Sequence, residues 1–139
     1  MADSETREAV NALYAAYAGH DFDRVASLLH DDIDWVIYGP IDIFPFVGMR
    51  RGRAAVVQAL AGLAQVYRLQ SHRIEVLIVD GDRAAVMADI GFNQIATGRL
   101  LRFRVANFLR IADGRLIEFR EFADSFDQVE QAIGHAVEI

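Results

Sequence analysis

Cysteine and lysine are both absent from this 139-residue sequence, and proline occurs only twice. Without cysteine the chain has no disulfide, no thiolate metal site and no cysteine nucleophile. Arginine supplies all fourteen basic residues, and a net charge of -6 leaves no basic surface for nucleic acid. No apolar run approaches the length of a transmembrane helix, and the acidic N-terminus is unlike a signal peptide. We therefore expect a cytoplasmic protein with no nucleic-acid or membrane partner.

Recognisable metal and cofactor motifs are also lacking. The four histidines, His20, His30, His72 and His135, are scattered, with no pair at ligand spacing. The sequence contains neither a glycine-rich phosphate loop nor a Gly-x-Ser-x-Gly nucleophile motif. We predict no metal and no cofactor.

The composition is that of a folded domain. Hydrophobic residues make up 53% of the chain and charged residues 24%, and no Pro/Ser-rich segment or run of like charges offers a linker. Residues 1–139 are therefore expected to form a single domain with one core.

Hydrophobic periodicity predicts helices and strands in a particular order. Helical spacing predicts helices over 5–18, from Asp21 to about residue 30, and over 54–66 and 125–137. Alternation predicts strands over 33–38, 71–79, 84–95, 99–111 and 116–123, and residues 41–52 are predicted to be an irregular loop with a buried side. Helices early in the chain followed by a run of strands indicate an α+β fold, with the helices gathered on one face of a curved sheet.

The last predicted hairpin contains the main candidate for chemistry. An Asp113-Gly114 pair between two runs of aromatic and branched residues predicts a tight turn. In the strand that follows, alternation places Glu121 on the same face as Ile117, Phe119 and Ala123. A carboxylate on an apolar face is costly unless it is paired, hydrogen-bonded or protonated, so Glu121 is either a neutralised structural group or an acid/base with a tuned pKa.

The preceding strand leaves two orientations open. Periodicity alone turns the apolar set, Phe103, Val105, Asn107, Leu109 and Ile111, toward the core. In a sheet covered on both faces, the more polar set could line a pocket instead, while the apolar set meets a partner subunit. In that case Arg104 would be a counter-ion for Glu121 or for an acidic ligand.

Several motifs together resemble the SnoaL-like, ketosteroid-isomerase-related branch of the nuclear transport factor 2-like superfamily. They are residues 19–23 (GHDFD), 29–35 (LHDDIDW), 39–48 (GPIDIFPFVG), 51–53 (RGR) and 108–124 (FLRIADGRLIEFREFAD). The resemblance implies a cone-shaped, curved mixed or antiparallel sheet packed against three helices from the N-terminal half, a cystatin-like α+β barrel with a short C-terminal helix. It also implies an apolar pocket and a homodimer formed through the outer face of the sheet.

The catalytic residues of the relatives are mostly replaced in this chain. The three positions that correspond to the ketosteroid isomerase catalysts hold Leu13, Ile37 and Ala106. The positions that correspond to limonene epoxide hydrolase hold Trp35 and Ile37, with Ala88 and Ile90 further on, or Met87 and Asp89 after a one-residue slip. Glu121 is left, and its position resembles that of the acid/base aspartate of SnoaL-type polyketide cyclases.

The resulting hypothesis is a small-molecule enzyme that performs acid/base chemistry of the isomerase, cyclase or hydrolase type on a largely apolar substrate. Glu121 is the predicted general acid/base, and Arg104 is its predicted anion or carbonyl partner. The predicted ligand-binding residues are Trp35, Ile37, Phe44, Phe46, Ile90, Phe92 and Phe108. The alternatives are a non-catalytic protein that binds an apolar ligand and a dimeric interaction module.

Overall fold

The computed structural model describes residues 2–139. The helices are α1 (Asp3–Ala18), α2 (Phe22–Ser27), α3 (Arg53–Val66) and α4 (Ser125–Ile133). The strands are β1 (Leu29–Ile37), β2 (Gly48–Arg51), β3 (Tyr67–Asp80), β4 (Arg83–Gln94), β5 (Leu100–Ala112) and β6 (Arg115–Ala123).

All the strands join one six-stranded sheet in the order β2-β1-β6-β5-β4-β3. Strands β1 and β6 pair in parallel, whereas every other neighbouring pair is antiparallel. The sheet is curved and unclosed, and helices α1 and α3 pack against it. The predicted α+β cone with a mixed sheet is therefore confirmed.

The β5-β6 hairpin forms as predicted. Asp113 and Gly114 connect the strands with positive φ angles of 54° and 72°, which matches the twist of a two-residue hairpin turn. Across the hairpin, Asn107 lies opposite Glu121 and Ala106 lies opposite Phe122. The turn thus fixes which side chains share a face of the sheet.

The apolar set of β5 faces the core. Val105 and Leu109 are almost fully buried, and Asn107 between them is 1% exposed. Arg104 and Phe108, on the alternate positions, are exposed. The orientation given by periodicity alone is the one adopted, because it buries the larger apolar surface.

Tertiary pairing changes the beginning of the sheet. Strand β1 begins at Leu29 instead of Ile33, because the Leu116 N–H donates to the Leu28 carbonyl at 2.9 Å and Leu29 aligns with Leu116. The prediction that residues 41–52 are all loop was wrong for β2, which pairs with β1 as a short edge strand. Such an edge strand tolerates flanking glycine and proline, because only one of its sides must pair.

The terminal helix is shorter than predicted. Helix α4 stops at Ile133, and Gly134 follows with a φ of 82°. The Gly134 N–H donates to the Glu130 carbonyl and closes the last turn of the helix. Gly134 itself has the left-handed conformation that favours glycine. Among residues 2–139, no helix has the length and apolar character needed to cross a membrane.

Candidate functional site

A cavity lies between the helices and the inner face of the sheet. Its volume is about 130 Å³, and its walls include Leu13 of α1, Leu60 of α3 and Ile90 of β4. A closed apolar cavity of about 150 Å³ is large enough to bind benzene. At about 130 Å³ this cavity is slightly smaller, so its size is on the scale of one small ring.

Aromatic and aliphatic side chains form most of the cavity wall. Six of the seven predicted ligand-binding residues line it, namely Trp35, Ile37, Phe44, Phe46, Ile90 and Phe92. The indole of Trp35 stacks on Phe119, with ring centroids 4.1 Å apart. These walls would exclude water from a bound molecule, and the role of the six residues in ligand binding stays a prediction.

Glu121 reaches the cavity from strand β6. Its side chain is half-buried because it borders the open space, but the surrounding walls are apolar. Burial raises the pKa of the Glu121 carboxyl to about 7, although a hydrogen bond from Asn107 lowers it in part. At neutral pH the carboxyl is therefore present in both its protonated and ionised forms.

Two buried polar groups are connected to Glu121. The Nδ2 of Asn107 donates to Glu121 Oε1 at 2.9 Å, and the Tyr14 hydroxyl donates to Asn107 Oδ1 at 2.6 Å. Helix α1 supplies Tyr14 and strand β5 supplies Asn107, so the connection joins a helix to two strands. Burial raises the pKa of the Tyr14 hydroxyl well above its usual value, and the negative charge of Glu121 adds to this effect.

His72 is a further polar group in the cavity wall. Its ring lies 5.1 Å from the ring of Tyr14 and 5.6 Å from that of Tyr17. Its Nδ1 is buried and has no hydrogen-bond partner among residues 2–139. Burial lowers the pKa of the imidazole below its usual value, so His72 is neutral at pH 7.

The charges of the site are unbalanced. Glu121 is its one acidic side chain, and no arginine lines the cavity within residues 2–139. A carboxyl that titrates near neutrality in an apolar space can accept a proton and return it during one reaction cycle. The arrangement is suited to proton transfer on an uncharged molecule.

Comparison with known proteins places this chain in a family. The sequence model of the SnoaL-like domain matches residues 10–119. The chain belongs to the SnoaL-like family. A search of curated proteins gave no significant match.

Solved structures of related folds resemble this SnoaL-like protein over most of their length. A proposed isomerase from Rhodopseudomonas palustris is 36% identical, with a TM-score of 0.84 over 97% of this chain and 100% of that one. An LEH-like epoxide hydrolase from M. tuberculosis is 20% identical, with a TM-score of 0.78 over 95% and 92%. A proposed polyketide cyclase from Pseudomonas putida is 22% identical, with a TM-score of 0.75 over 91% and 96%. The last two likenesses show the fold alone.

Two predicted site residues of this SnoaL-like protein lie outside the cavity. Arg104 is on the outer face of the sheet, where its Nε bonds Glu75 Oε1 at 2.7 Å. Phe108 is on the same outer face, 52% exposed, with its ring 6.0 Å from that of Phe122. The prediction that they face the pocket was wrong, because strand alternation sends them to the side opposite Asn107.

The correspondence with catalytic positions of relatives also shifts. Ala106 lies on the outer face, and its neighbour Asn107 is the residue that enters the cavity. Leu13 does line the cavity, but the adjacent Tyr14 brings a hydroxyl there. Asp89 is on the outer face, bonded to Arg102 at 2.9 Å.

Sequence reasoning missed several polar residues of the site, among them Asn107, Tyr14 and His72. Asn107 belongs to the inward set, but alternation along one strand does not give its partner across the hairpin. Tyr14 belongs to the buried stripe of α1, where helical spacing predicts only an apolar contact. His72 faces inward only because the register of β3 shifts between Leu69 and Ser71, and a bulge of this kind has no clear sequence signal.

Among residues 2–139, no group of three potential ligands converges on a metal position.

Proposed function

We propose that this SnoaL-like protein is an enzyme that performs acid/base chemistry on a small, largely apolar substrate. The observation that carries the proposal is the Glu121 carboxyl, whose pKa of about 7 arises in an apolar cavity. Glu121 is the general acid/base. The reaction is of the isomerase, cyclase or hydrolase type, which are the classes that the names of the structural neighbours suggest.

The most direct use of this site is proton transfer next to a carbonyl. Ionised Glu121 takes the proton of a C–H bond, and the electron pair of that bond stays on the substrate as an enolate. The same carboxyl, now protonated, returns the proton to a different atom of the substrate. Substrate and product then differ by the position of one proton, and Glu121 ends in its starting form.

A specific observation also supports a non-catalytic alternative, in which the protein binds an apolar ligand or acts as a dimeric interaction module. The Tyr14 hydroxyl donates its proton to Asn107, so it does not donate to a substrate carbonyl. No cationic side chain of residues 2–139 lines the cavity to polarise a carbonyl. In this alternative Glu121 is a hydrogen-bond anchor for the ligand.

Deuterium exchange separates the enzyme from the ligand-binding protein even while the natural reaction is unidentified. A panel of apolar cyclic ketones is first screened by thermal shift, where a ligand at about 100 times its Kd stabilises the fold by about 2.7 kcal/mol. Each stabilising compound is then incubated in D₂O and followed by NMR. We expect exchange beside the carbonyl, with a pH profile that inflects near the Glu121 pKa of about 7. Binding without exchange or turnover at any pH would favour the non-catalytic alternative.

We further propose a homodimer formed through the outer face of the sheet. One row across four strands, which we call the outer apolar row, consists of Val76, Met87, Ala106 and Phe122. Met87 and Phe122 in this row are 40% and 46% exposed. A polar row with Asp89 and Arg104 borders it, giving the apolar centre and charged rim of a protein interface.

The dimer can be tested by placing a charge in the outer apolar row. In a two-fold dimer, Met87→Arg places two like charges in the same apolar interface. We therefore expect the mass at micromolar concentration to fall from twice to once the 15.5 kDa of the chain. Ile41→Arg is the control, because Ile41 is 60% exposed but lies in the loop before β2. Light scattering measures both variants. A wild-type monomer would contradict the proposal.

A further inference from the structure

The two oxygens of the Glu121 carboxyl are not equivalent. Oε1 accepts the N–H of Asn107 at 2.9 Å. Oε2 has no hydrogen-bond partner among residues 2–139. It is not one of their fully buried, unpaired atoms, so it keeps accessible surface on a side chain that lines the cavity. One oxygen is therefore held by the protein, and the other is free to meet a ligand.

Asn107 can present its N–H to an ionised Glu121 in only one orientation. A carboxylate has no proton to donate, so the amide must turn Nδ2 toward Glu121 and Oδ1 away from it. The Tyr14 hydroxyl meets that outward Oδ1 at 2.6 Å and donates to it. Both ends of the amide are thus satisfied in the orientation that serves the carboxylate, and Asn107 itself is 1% exposed.

We propose that Asn107 and Tyr14 are positioning residues that assign the proton-transfer role to Oε2 of Glu121. This inference rests on the proposed function and states which oxygen of Glu121 carries the proton. Oε1 stays bonded to Asn107 throughout the cycle, while Oε2 takes the substrate proton and returns it. The electron pair of the broken bond remains on the substrate, and the charge of the carboxylate is restored when Oε2 releases the proton.

Tyr14 strengthens the contact from a distance. A hydroxyl that donates to the amide oxygen polarises the amide, and the Nδ2–H becomes a better donor to the carboxylate. The pair therefore favours the ionised form of Glu121 and opposes the effect of burial. The other titratable groups that line the cavity are the tyrosines Tyr17, Tyr38 and Tyr67 and the imidazole of His72.

The chain contains a matched control for Tyr14. Tyr17 lies on the same helix and lines the same cavity. The negative charge of Glu121 contributes to a raised pKa at both tyrosines, so both lie within its field. Only the Tyr14 hydroxyl is bonded to Asn107, so the two Tyr→Phe variants remove the same atom with different expected effects.

The experiment is a carboxyl ¹³C NMR titration of Glu121, which needs no substrate. Asn107→Leu keeps the branched outline of the side chain and removes the donor, so the Glu121 midpoint should rise by about one pH unit. Tyr14→Phe should raise it by a few tenths of a unit. Tyr17→Phe should leave it within about one tenth of the wild-type value, since no bond to the network is lost.

A second measurement uses the wild-type protein and does not depend on the folding of a variant. The side-chain amide protons of Asn107 should shift with pH at the same midpoint as the Glu121 carboxyl, because one of them is bonded to Oε1.

The D₂O assay gives a third measurement. In Asn107→Leu, the pH profile of exchange should shift to higher pH together with the carboxyl midpoint.

Distinct results overturn this inference and the proposed function. An unchanged or lowered Glu121 midpoint in Asn107→Leu, amide protons that ignore pH, or equal shifts in Tyr14→Phe and Tyr17→Phe would overturn the positioning roles. If the midpoints move as expected but no compound exchanges, the hydrogen-bond assignment holds and the catalytic proposal fails.

Discussion

Replacing Glu121 with glutamine is expected to lower the rate of substrate proton exchange at least about 100-fold. The amide keeps the size of the side chain, and its oxygen still accepts the N–H of Asn107. It has no oxygen that can take a proton at neutral pH, so the step assigned to the carboxyl is lost while the cavity keeps its shape. NMR exchange rates in D₂O at pH 7, with a compound selected by thermal shift, measure the effect.

A second carboxylate on the same strand provides the control. Glu118 lies on β6 but reaches Arg83 across the outer face at 3.5 Å. Glu118→Gln makes the same chemical replacement as Glu121→Gln but on the outer face of the sheet, and it should keep the exchange rate within about twofold of wild type. A Glu121→Gln protein that exchanges within a few-fold of the wild-type rate would remove Glu121 from the mechanism.

Glu121→Gln is also expected to stabilise the protein at alkaline pH. Burial raises the pKa of Glu121 from 4.5 to about 7, so the folded state holds a proton that the unfolded chain releases between these values. The contribution of Glu121 to stability is fully present below pH 4.5 and is lost as the pH rises through 7. For a fully desolvated carboxyl, the loss in free energy of unfolding would be about 3 kcal/mol. Because Glu121 borders the open cavity, solvent screens part of its charge, and the expected loss is about 2 kcal/mol.

Glutamine does not titrate, so the comparison isolates this effect. At pH 5 we expect similar free energies of unfolding for wild type and Glu121→Gln, and at pH 8 we expect the variant to be more stable by about 2 kcal/mol. The lowered pKa of His72 acts in the opposite direction, with stability lost at acidic pH, but it is common to both proteins. Urea unfolding at pH 5, 6, 7 and 8 and at one protein concentration provides the data. A difference that does not change with pH would mean that Glu121 is not desolvated.

Together, the two predictions describe a trade-off at one residue. A carboxyl that destabilises the fold when ionised is also the group with the most suitable pKa for proton transfer at neutral pH. An increase in stability with a loss of exchange in the same variant would support a functional reason for its retention.

Much of the fold follows from local patterns. The Asp113-Gly114 pair determines a hairpin turn, and alternation along Leu116–Ala123 then places Glu121 on the same face as Ile117, Phe119 and Ala123. Helical spacing identifies α1 and α3 for the same reason, since their buried stripes must meet the apolar face of the sheet. These features depend on residues close together in the chain.

Other features depend on distant segments. The start of β1 at Leu29 requires a partner in β6, and β2 requires a place beside β1, so neither boundary has a local signal. The outward position of Arg104 and Phe108 was one of two orientations that the sequence left open, and it was settled by which face the helices cover.

The sequence by itself thus determined the family fold, the hairpin and a carboxylate on an apolar face. Only the tertiary structure decided what surrounds that carboxylate. The contacts of Asn107 with Tyr14 and Glu121 span 93 and 14 residues of the chain. A bulge in β3 turns His72 inward, and packing of α1 on the sheet brings the Tyr14 hydroxyl to the amide. Periodicity specifies the face of each side chain, whereas its partners and its pKa depend on how separate elements pack together.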